Sequence, residues 1–434
     1  MTAPVDTSSK RNLLKGITLT PGSSEILITP RYINPIFSGI EKPNRYMVAC
    51  PLLYQHLLFI LRNEYSCWSV TVADGNGNVM ADINGTIPRV PASNEKLVTT
   101  AFALDQLGPN YRLATRLWRL EDGSLEITGE GDPHFMSVKW QKFKDLLLKY
   151  SALKQLYVPT NFLQLNEETS INWWPKVWHP EDRLETYGAP ITRLGMNVLR
   201  DTNCNMSAIK KINLLLTQNF NMEEIFSYMQ VLPFKRIDNN LFLKKVLIHE
   251  EPYLSIEKLL SLANGQSNNF TSEVLLRQAS NDWLLNNAIK KEEGWLSRQG
   301  VSFTGLRLVD GSGLSSSNRL TSHFLSSILL YMSKHIYSEI YQNSMALSGA
   351  RGTMRDFLSE TVLSGRLNGK TGTLKAVRSI SGILTTSAGP IYVSILSNGS
   401  DFPDKMIKEL LLEIQKLSPC PAFSKTFQFS TYHG

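Results

Sequence analysis

Apolar residues return along this chain in two rhythms, every second position and every third or fourth, and the switches between them mark out its elements. An almost unbroken apolar run over 52–62 predicts a helix. Residues 68–73 (Trp-Ser-Val-Thr-Val-Ala) then alternate as a strand, Asp74-Gly-Asn-Gly77 supplies a hairpin turn, and 79–83 predicts the returning strand. Pro91 stops the extended run. From Ser93 onward Leu97, Ala101 and Leu104 recur at helical spacing, which predicts a helix with an apolar stripe buried in a core.

A second hairpin is expected over 113–120 and 125–128, and Gly129-Glu-Gly-Asp-Pro133 reads as a turn. Beyond it the pattern predicts a helix over 138–150, strands over 212–216 and 240–248, and a short helix over 222–229 between them. Helical patterning resumes over 254–263, 270–278 and 286–299. Arg307-Leu-Val-Asp310 predicts a strand entering a Gly-rich turn, followed by a long apolar helix over 322–332. Strands over 366–374, 379–386 and 390–396 and a helix over 403–416 end the patterned part.

Helices near both ends, each with strands just inside it, predict one sheet assembled from the two ends of the chain. The expected organisation is a loose leader over 1–45, which carries five prolines, and a discontinuous domain over 46–107 and 254–434. An inserted mixed domain over 108–253 completes it.

Composition adds three constraints. With 434 residues, 42% hydrophobic and 19% charged, the chain is an ordinary folded protein with room for two domains. The net charge of +7 points to anionic surroundings such as a cell-wall polymer or a membrane surface. The basic residues do not interleave with aromatics in a stripe, which argues against nucleic acid. Four cysteines form no Cys-x-x-Cys pair and seven histidines show no ligand spacing, so neither a metal nor a cofactor is expected. Cys50 and Cys420 could pair if the first and last helices lie side by side; the sequence leaves this open. No run reaches membrane-spanning length, and the N-terminus lacks the basic patch and clean apolar core of a signal peptide.

Chemistry is carried by Ser93-Asn-Glu-Lys96. Three residues apart at a helix start, Ser93 and Lys96 share a face, and the positive end of the helix dipole favours an anion there. That suits a nucleophile that must lose a proton. The spacing alone is weak, because Ser151–Lys154, Ser207–Lys210 and Ser255–Lys258 repeat it. Gly369-Lys-Thr-Gly372-Thr373 is more selective, since Lys-Thr-Gly occurs once. A glycine inside this predicted strand would let a substrate lying along an edge strand approach the backbone closely. Thr371 and Thr373 share a face, and Lys370 would add a fixed charge, a set suited to a carboxylate. A third element, Ser-x-Asn, has two candidates, Ser267-Asn-Asn269 and Ser316-Ser-Asn318, and spacing does not choose between them.

Together Pro91-Ala-Ser-Asn-Glu-Lys96, Ser267-Asn-Asn269 and Lys370-Thr-Gly-Thr373 resemble the active-site set of the active-site-serine penicillin-binding proteins and β-lactamases. Closer still is the resemblance to the class C low-molecular-mass penicillin-binding proteins, the D-alanyl-D-alanine carboxypeptidase/endopeptidase family of penicillin-binding protein 4. It extends through Gly129–Pro133, Tyr187-Gly-Ala-Pro-Ile-Thr-Arg-Leu194, Ser267–Arg277, Asp310-Gly-Ser-Gly-Leu-Ser315, Gly352-Thr353 and Ser381-Gly382, and covers roughly residues 50–400.

The resemblance implies an α+β fold of the β-lactamase/transpeptidase type, an antiparallel sheet with helices on both faces and a smaller mixed insertion. It selects Ser267 and Asn269 as the Ser-x-Asn pair and leaves Ser316 as a helix cap. It further implies a serine-type D-Ala-D-Ala carboxypeptidase or endopeptidase acting on peptidoglycan peptides in the periplasm or cell envelope. The catalytic residues would be Ser93, Lys96, Ser267, Asn269 and Lys370, with Thr371, Gly372 and Thr373 on the substrate. β-Lactams would be covalent inhibitors, and peripheral membrane or wall association would be compatible.

Other functions of the same scaffold are a β-lactamase or esterase, or a wall-binding protein without turnover. Two departures stand out. The stretch between Ser93 and Ser267 is short for a family that carries two nested inserts. Glu95 is an unusual acid inside the motif, expected to project sideways from the Ser93/Lys96 face with little effect on catalysis.

Overall fold

Strands from before the nucleophile motif and from the last quarter of the chain meet in one six-stranded sheet. The computed structural model describes residues 48–121, 125–134, 146, 155–157, 174–193, 195, 230–231, 245–251 and 254–421, all within the unit formed by residues 35–434. The expected leader over 1–45, the strand over 212–216 and the helix over 222–229 lie outside the described residues, as does the helix over 138–150 apart from residue 146.

Helix α1 (Pro51–Leu61) leads into β1 (Trp68–Ala73) and β2 (Val79–Ile83). The turn between the strands holds because the Asp74 carboxylate accepts the N–H groups of Asn76 and Asn78 at 2.8 and 2.9 Å. A single 3₁₀ turn (Ala92–Asn94) then enters α2 (Glu95–Leu107). From Glu95 to Leu104 every side chain of α2 is buried, polar ones included, so this helix is enclosed on all sides rather than along one stripe.

Strands β3 (Arg112–Leu113), β4 (Thr115–Leu120), β5 (Leu125–Gly129), β6 (Gln155–Tyr157), β7 (Gln230–Val231), β8 (Lys245–Glu250) and β9 (Leu254–Ser255) follow. They precede helices α3 (Ile256–Asn264), α4 (Asn269–Ser280), α5 (Leu285–Arg298), α6 (Ser322–Ser333) and α7 (Ser338–Ser344). Strands β10 (Ala346–Leu347), β11 (Leu367–Leu374), β12 (Val377–Thr386) and β13 (Gly389–Asn398) and helix α8 (Pro403–Lys416) complete the described chain.

The main sheet runs β10-β11-β12-β13-β1-β2, each pair antiparallel. Period-2 alternation sends Val70, Val72, Ile391, Val393 and Ile395 to one face, under α1 and α8. Tyr392 and Leu396 point to the other, where α2 and α6 lie. Helices therefore cover both faces, as the resemblance implies.

A second sheet, β7-β6-β5-β4-β8, is antiparallel around β4 and parallel from β5 to β7. Where the chain leaves the helical layer and where it comes back, β3 and β9 pair through Arg112↔Ser255 and Leu113↔Leu254. Cys50, just before α1, and Cys420, just after α8, are joined by a disulfide, which answers the pairing question the sequence left open.

Two local expectations fail. Arg307 forms only an isolated bridge with Arg319 in place of a strand, because its partner loop turns away after one residue pair. Ser316 caps no helix. Thr321, one residue before α6, accepts the Phe324 N–H at 3.0 Å instead, and Ser316 sits in the preceding turn.

Candidate active site

Residues Pro91–Asn94 are pinned from two sides before α2 begins. The Ser379 hydroxyl donates to the Pro91 carbonyl at 2.7 Å and accepts from Asn94 Nδ2 at 2.7 Å. Ala92 is held at φ 48°, a left-handed conformation that a non-glycine residue adopts at a cost of roughly 1 kcal/mol or more. The packed surroundings enforce it. This fixes the half-buried Ser93 hydroxyl 3.0 Å from the Lys96 ammonium nitrogen, one helical turn on.

Lys96 is fully buried, and its Nζ also donates to Asn269 Oδ1 at 2.6 Å and to the Ser312 carbonyl at 2.5 Å. Asn269 opens α4, a helix capped by the neighbouring Asn268, whose side chain accepts the Thr271 N–H at 2.8 Å. The Asn269 amide is oriented from its other end, where Nδ2 donates to the Tyr187 carbonyl at 2.9 Å.

A second group lies on β11. Lys370, also fully buried, donates to Ser267 Oγ at 2.8 Å and to the Thr371 carbonyl at 2.6 Å. Ser267, between α3 and α4, has φ 59°. Thr371 shares a hydrogen bond of 2.8 Å with Thr353, while Thr373 is exposed on the same strand. Gly372 lets the strand close on the nucleophile turn. A Cβ there would come within 2.2 Å of Ser379 Oγ, 2.9 Å of the Pro91 carbonyl and 3.0 Å of Ala92 Cβ. Where the sequence pattern suggested a substrate against the strand glycine, the close neighbour of Gly372 is the Ser93 turn itself.

Ser93, Lys96 and Asn269 form one hydrogen-bonded group, Ser267, Lys370 and Thr371 another, and Gly372 sets them side by side. The two lysines respond to burial in the same direction. Lys96 is pushed down to about 7, burial prevailing over the opposing pull of Asp310, Glu273 and Glu95. Lys370 falls well below the usual lysine range, through burial first and the nearby Lys96 charge second. Burial and the Lys96 charge therefore work against the fixed charge expected at Lys370. A bound carboxylate would support it.

Several contributors escaped the motif search. Ser312 and Tyr187 act through backbone carbonyls, which leave no residue-type signal, although both lie in stretches that carried the resemblance. Thr353 also lay in such a stretch, brought to Thr371 because Gly352 (φ 66°) packs on the Gly265 carbonyl. Ser379 had no signal at all. Glu95 is completely buried, together with Glu273, Glu292 and Asp310. Among the described residues no group of three metal-ligating side chains is placed to hold an ion, and no helix is long and apolar enough to cross a membrane.

A sequence profile of the D-Ala-D-Ala carboxypeptidase 3 (S13) family matches residues 61–231 and 246–415. A D-alanyl-D-alanine carboxypeptidase of Actinomadura sp. is 31% identical over 113 residues, 25% of this chain and 21% of that protein. Matches to three curated relatives span 21%, 38% and 20% of their lengths. Among solved structures, penicillin-binding protein 4 of Haemophilus influenzae superposes with a TM-score of 0.65 at 17% identity, covering 85% of this chain and all of that one (100%). The same protein is also solved with a β-lactam, with a TM-score of 0.60 at 18% identity, covering 84% of this chain and 99% of that one. A predatory peptidoglycan endopeptidase of Bdellovibrio bacteriovorus superposes with a TM-score of 0.57 at 18% identity, covering 82% and 94%. At these identities the structural likeness is one of fold, and the fold is that of penicillin-binding protein 4.

Proposed function

The chain belongs to the D-Ala-D-Ala carboxypeptidase 3 (S13) family, and from that premise we propose that it is a serine-type D-Ala-D-Ala carboxypeptidase/endopeptidase working through an acyl-enzyme on Ser93. The observation that carries the reading is Lys96, buried, shifted to about 7 and 3.0 Å from Ser93 Oγ. A general base poised near neutrality is what attack by an alcohol needs.

In this reading Ser93 Oγ bonds to the carbonyl carbon of a D-Ala-D-Ala peptide while its proton passes to Lys96. The backbone amides of Ser93 and Thr373 stabilise the oxyanion, at about 3 kcal/mol per donor. As the C–N bond breaks, the Ser267 hydroxyl delivers a proton to the nitrogen of the departing D-alanine, and Lys370 restores it. Asn269 holds the amide of the substrate stem, and Thr371 and Thr373 take the terminal carboxylate, whose charge supports protonated Lys370. Gly372 keeps β11 close enough to the Ser93 turn for both halves to act on one bond. Water then releases the acyl group.

The substrates are peptidoglycan stem peptides or cross-links, and β-lactams are covalent inhibitors. That two solved relatives are described as a β-lactam complex and a peptidoglycan endopeptidase supports both assignments. The site of action is the periplasm or cell envelope, supported by the Cys50–Cys420 disulfide, which persists in oxidising compartments. Residues 46–107 and 254–434 act as the catalytic domain and 108–253 as an insertion, a division supported by the β3–β9 pairing at the junction.

Labelling by a fluorescent penicillin tests the reading. Wild type is expected to give a long-lived covalent label, and Ser93→Ala to lose it by on the order of 10³-fold or more. Rapid release of the label would make the protein a β-lactamase or esterase on this scaffold. No label in wild type would overturn acyl transfer altogether.

A further inference from the structure

Four acidic side chains are buried behind Lys96, and they divide into two pairs. Asp310 and Glu273 are satisfied. Asp310 accepts the N–H groups of Gly313 and Ser315 at 2.8 and 2.7 Å, Asn318 Nδ2 at 2.7 Å and the Trp178 indole at 2.9 Å. Glu273 accepts the Gly311 N–H at 2.9 Å and pairs with Arg277 at 2.7 Å, which commits that guanidinium. Glu95 and Glu292 are not satisfied. All four of their carboxyl oxygens are buried without a hydrogen-bond partner. The Thr99 hydroxyl, one turn along α2 from Glu95, turns toward Glu292 and favours its charged form, but without the geometry of a full hydrogen bond.

Glu95 has four titratable groups around it. Glu292 faces it from α5, Glu273 from α4 and Asp310 from the turn after residue 309, with Lys96 on its own helix. Gly313 packs directly on it, since a Cβ there would lie 2.8 Å from Glu95 Cβ. An ionised carboxylate buried without a partner costs several kcal/mol, so such a group keeps its proton instead. Burial and the surrounding acids hold Glu95 well above the carboxylate range and raise Glu292 to about 8. Lys96 changes charge in the same region.

We propose that Glu95 is a positioning residue, a buried protonated carboxyl backed by the equally unpartnered Glu292, that sets the pH range over which Lys96 acts as the base for Ser93. The proposal rests on the acyl-transfer reading above and gives a role to the acid inside the nucleophile motif.

Lys96 and these carboxyls share a limited number of protons. With the carboxyls protonated, Lys96 is the group that gives its proton up on approaching neutrality. Once Glu95 ionises, the new negative charge raises the proton affinity of Lys96. Part of the population then holds carboxylate and ammonium, which has the same proton count as carboxyl and amine but no free base. Wild-type activity should therefore rise with pH over a broad, shallow range rather than as one simple ionisation. Glu95→Gln mimics the protonated carboxyl and removes the unproductive arrangement.

The test is the rate of penicillin acylation against pH for wild type, Glu95→Gln and Glu292→Gln. Glu95→Gln should reach its plateau at lower pH, the midpoint moving down by about half a unit to one unit, and along a steeper curve, whereas Glu292→Gln, which reaches Lys96 only through Glu95, should move it less. A merely structural role would scale the rate at all pH values and leave the shape alone. Infrared spectroscopy of the folded protein at pH 7 provides a readout independent of turnover. The carbonyl stretch of a buried protonated carboxyl should be present in wild type and reduced in each variant. An unchanged profile shape in Glu95→Gln, or no such band in wild type, would overturn the proposal. Failure of wild type to acylate at all would instead overturn the acyl-transfer reading, with the infrared result still deciding the protonation of the pair.

Discussion

The two faces of the main sheet are built from the same strands, and both bury hydrocarbon, but only one also buries charge. Under α1 and α8 the interior is hydrocarbon: Leu53, Leu57, Leu61, Ile407, Leu410, Leu411 and Ile414 close on Val70, Val72, Val393 and Ile395, with the Cys50–Cys420 disulfide at the edge. Across the sheet, Thr71 bonds Ser322 at 2.9 Å, Ser381 bonds Ser394 at 2.8 Å, and beyond them lie Glu95, Lys96, Glu273, Glu292, Asp310 and Lys370, all buried. Buried charges and unpartnered carboxyls lower stability, whereas apolar burial raises it by about 25 cal/mol per Å². The contrast teaches how buried charge is tolerated. One face is apolar throughout, and the other sets its buried charges within a still larger apolar cluster running from Leu97 to Leu396, whose burial offsets groups that a purely stable protein would not bury.

If so, damage to the two faces should read out differently. The largest stability effect is expected from Leu411→Ala, which opens a cavity beneath α8 and should cost about 2–5 kcal/mol in denaturant unfolding. The penicillin-labelling rate of the folded fraction should stay at the wild-type value. A fall in that rate beyond the loss of folded protein would show that the faces are not separable. Next in size, reducing the Cys50–Cys420 link should lower stability by about 2–4 kcal/mol, again without changing the labelling rate.

The effect smallest at any one pH step, though it accumulates over several units, lies on the polar face. Folding raises Glu292 from 4.5 to about 8, so the folded protein keeps a proton that the unfolded chain releases between those values. Stability from this source is therefore lost as pH climbs through that window. Lys96, lowered from 10.5 to about 7, acts in the opposite sense, and its share of stability is gained as pH rises between 7 and 10.5. Glu292→Gln should gain on wild type by on the order of 1 kcal/mol per pH unit up to about pH 8. Unfolding curves at three pH values measure this, and a pH-independent difference would remove Glu292 from the set of strained acids.

The apolar face was nearly all legible in the sequence, because its elements follow local periodicity. The closing helix is observed as Pro403–Lys416, the bounds its pattern predicts, and β1 likewise as Trp68–Ala73. The polar face was legible only where chemistry is written in rare residue types, as in Ser93, Lys96 and Lys370. Its remaining partners are brought in by long-range packing. Ser379 reaches Pro91 through strand β12, and Ser312 offers only a carbonyl. Helical geometry was enough to turn Glu95 away from Ser93 but gave no hint of what it would meet there, since Glu292 and Asp310 arrive from distant parts of the chain. The cap assigned to Ser316 failed for the related reason that several serines near a helix start compete, and backbone geometry selected Thr321.

The three contacts of Lys96 Nζ have a consequence in the counting of hydrogens. An ammonium has three to donate, and Ser93 Oγ, Asn269 Oδ1 and the Ser312 carbonyl take one each. A neutral amine has only two hydrogens and one lone pair. The Ser312 carbonyl can only accept. Asn269 is bound to present its oxygen because its nitrogen is occupied by the Tyr187 carbonyl. Both hydrogens of the amine are then spoken for, and the lone pair has a single direction left, toward the hydroxyl of Ser93. Two carbonyl oxygens with no hydrogen to offer thus aim the base.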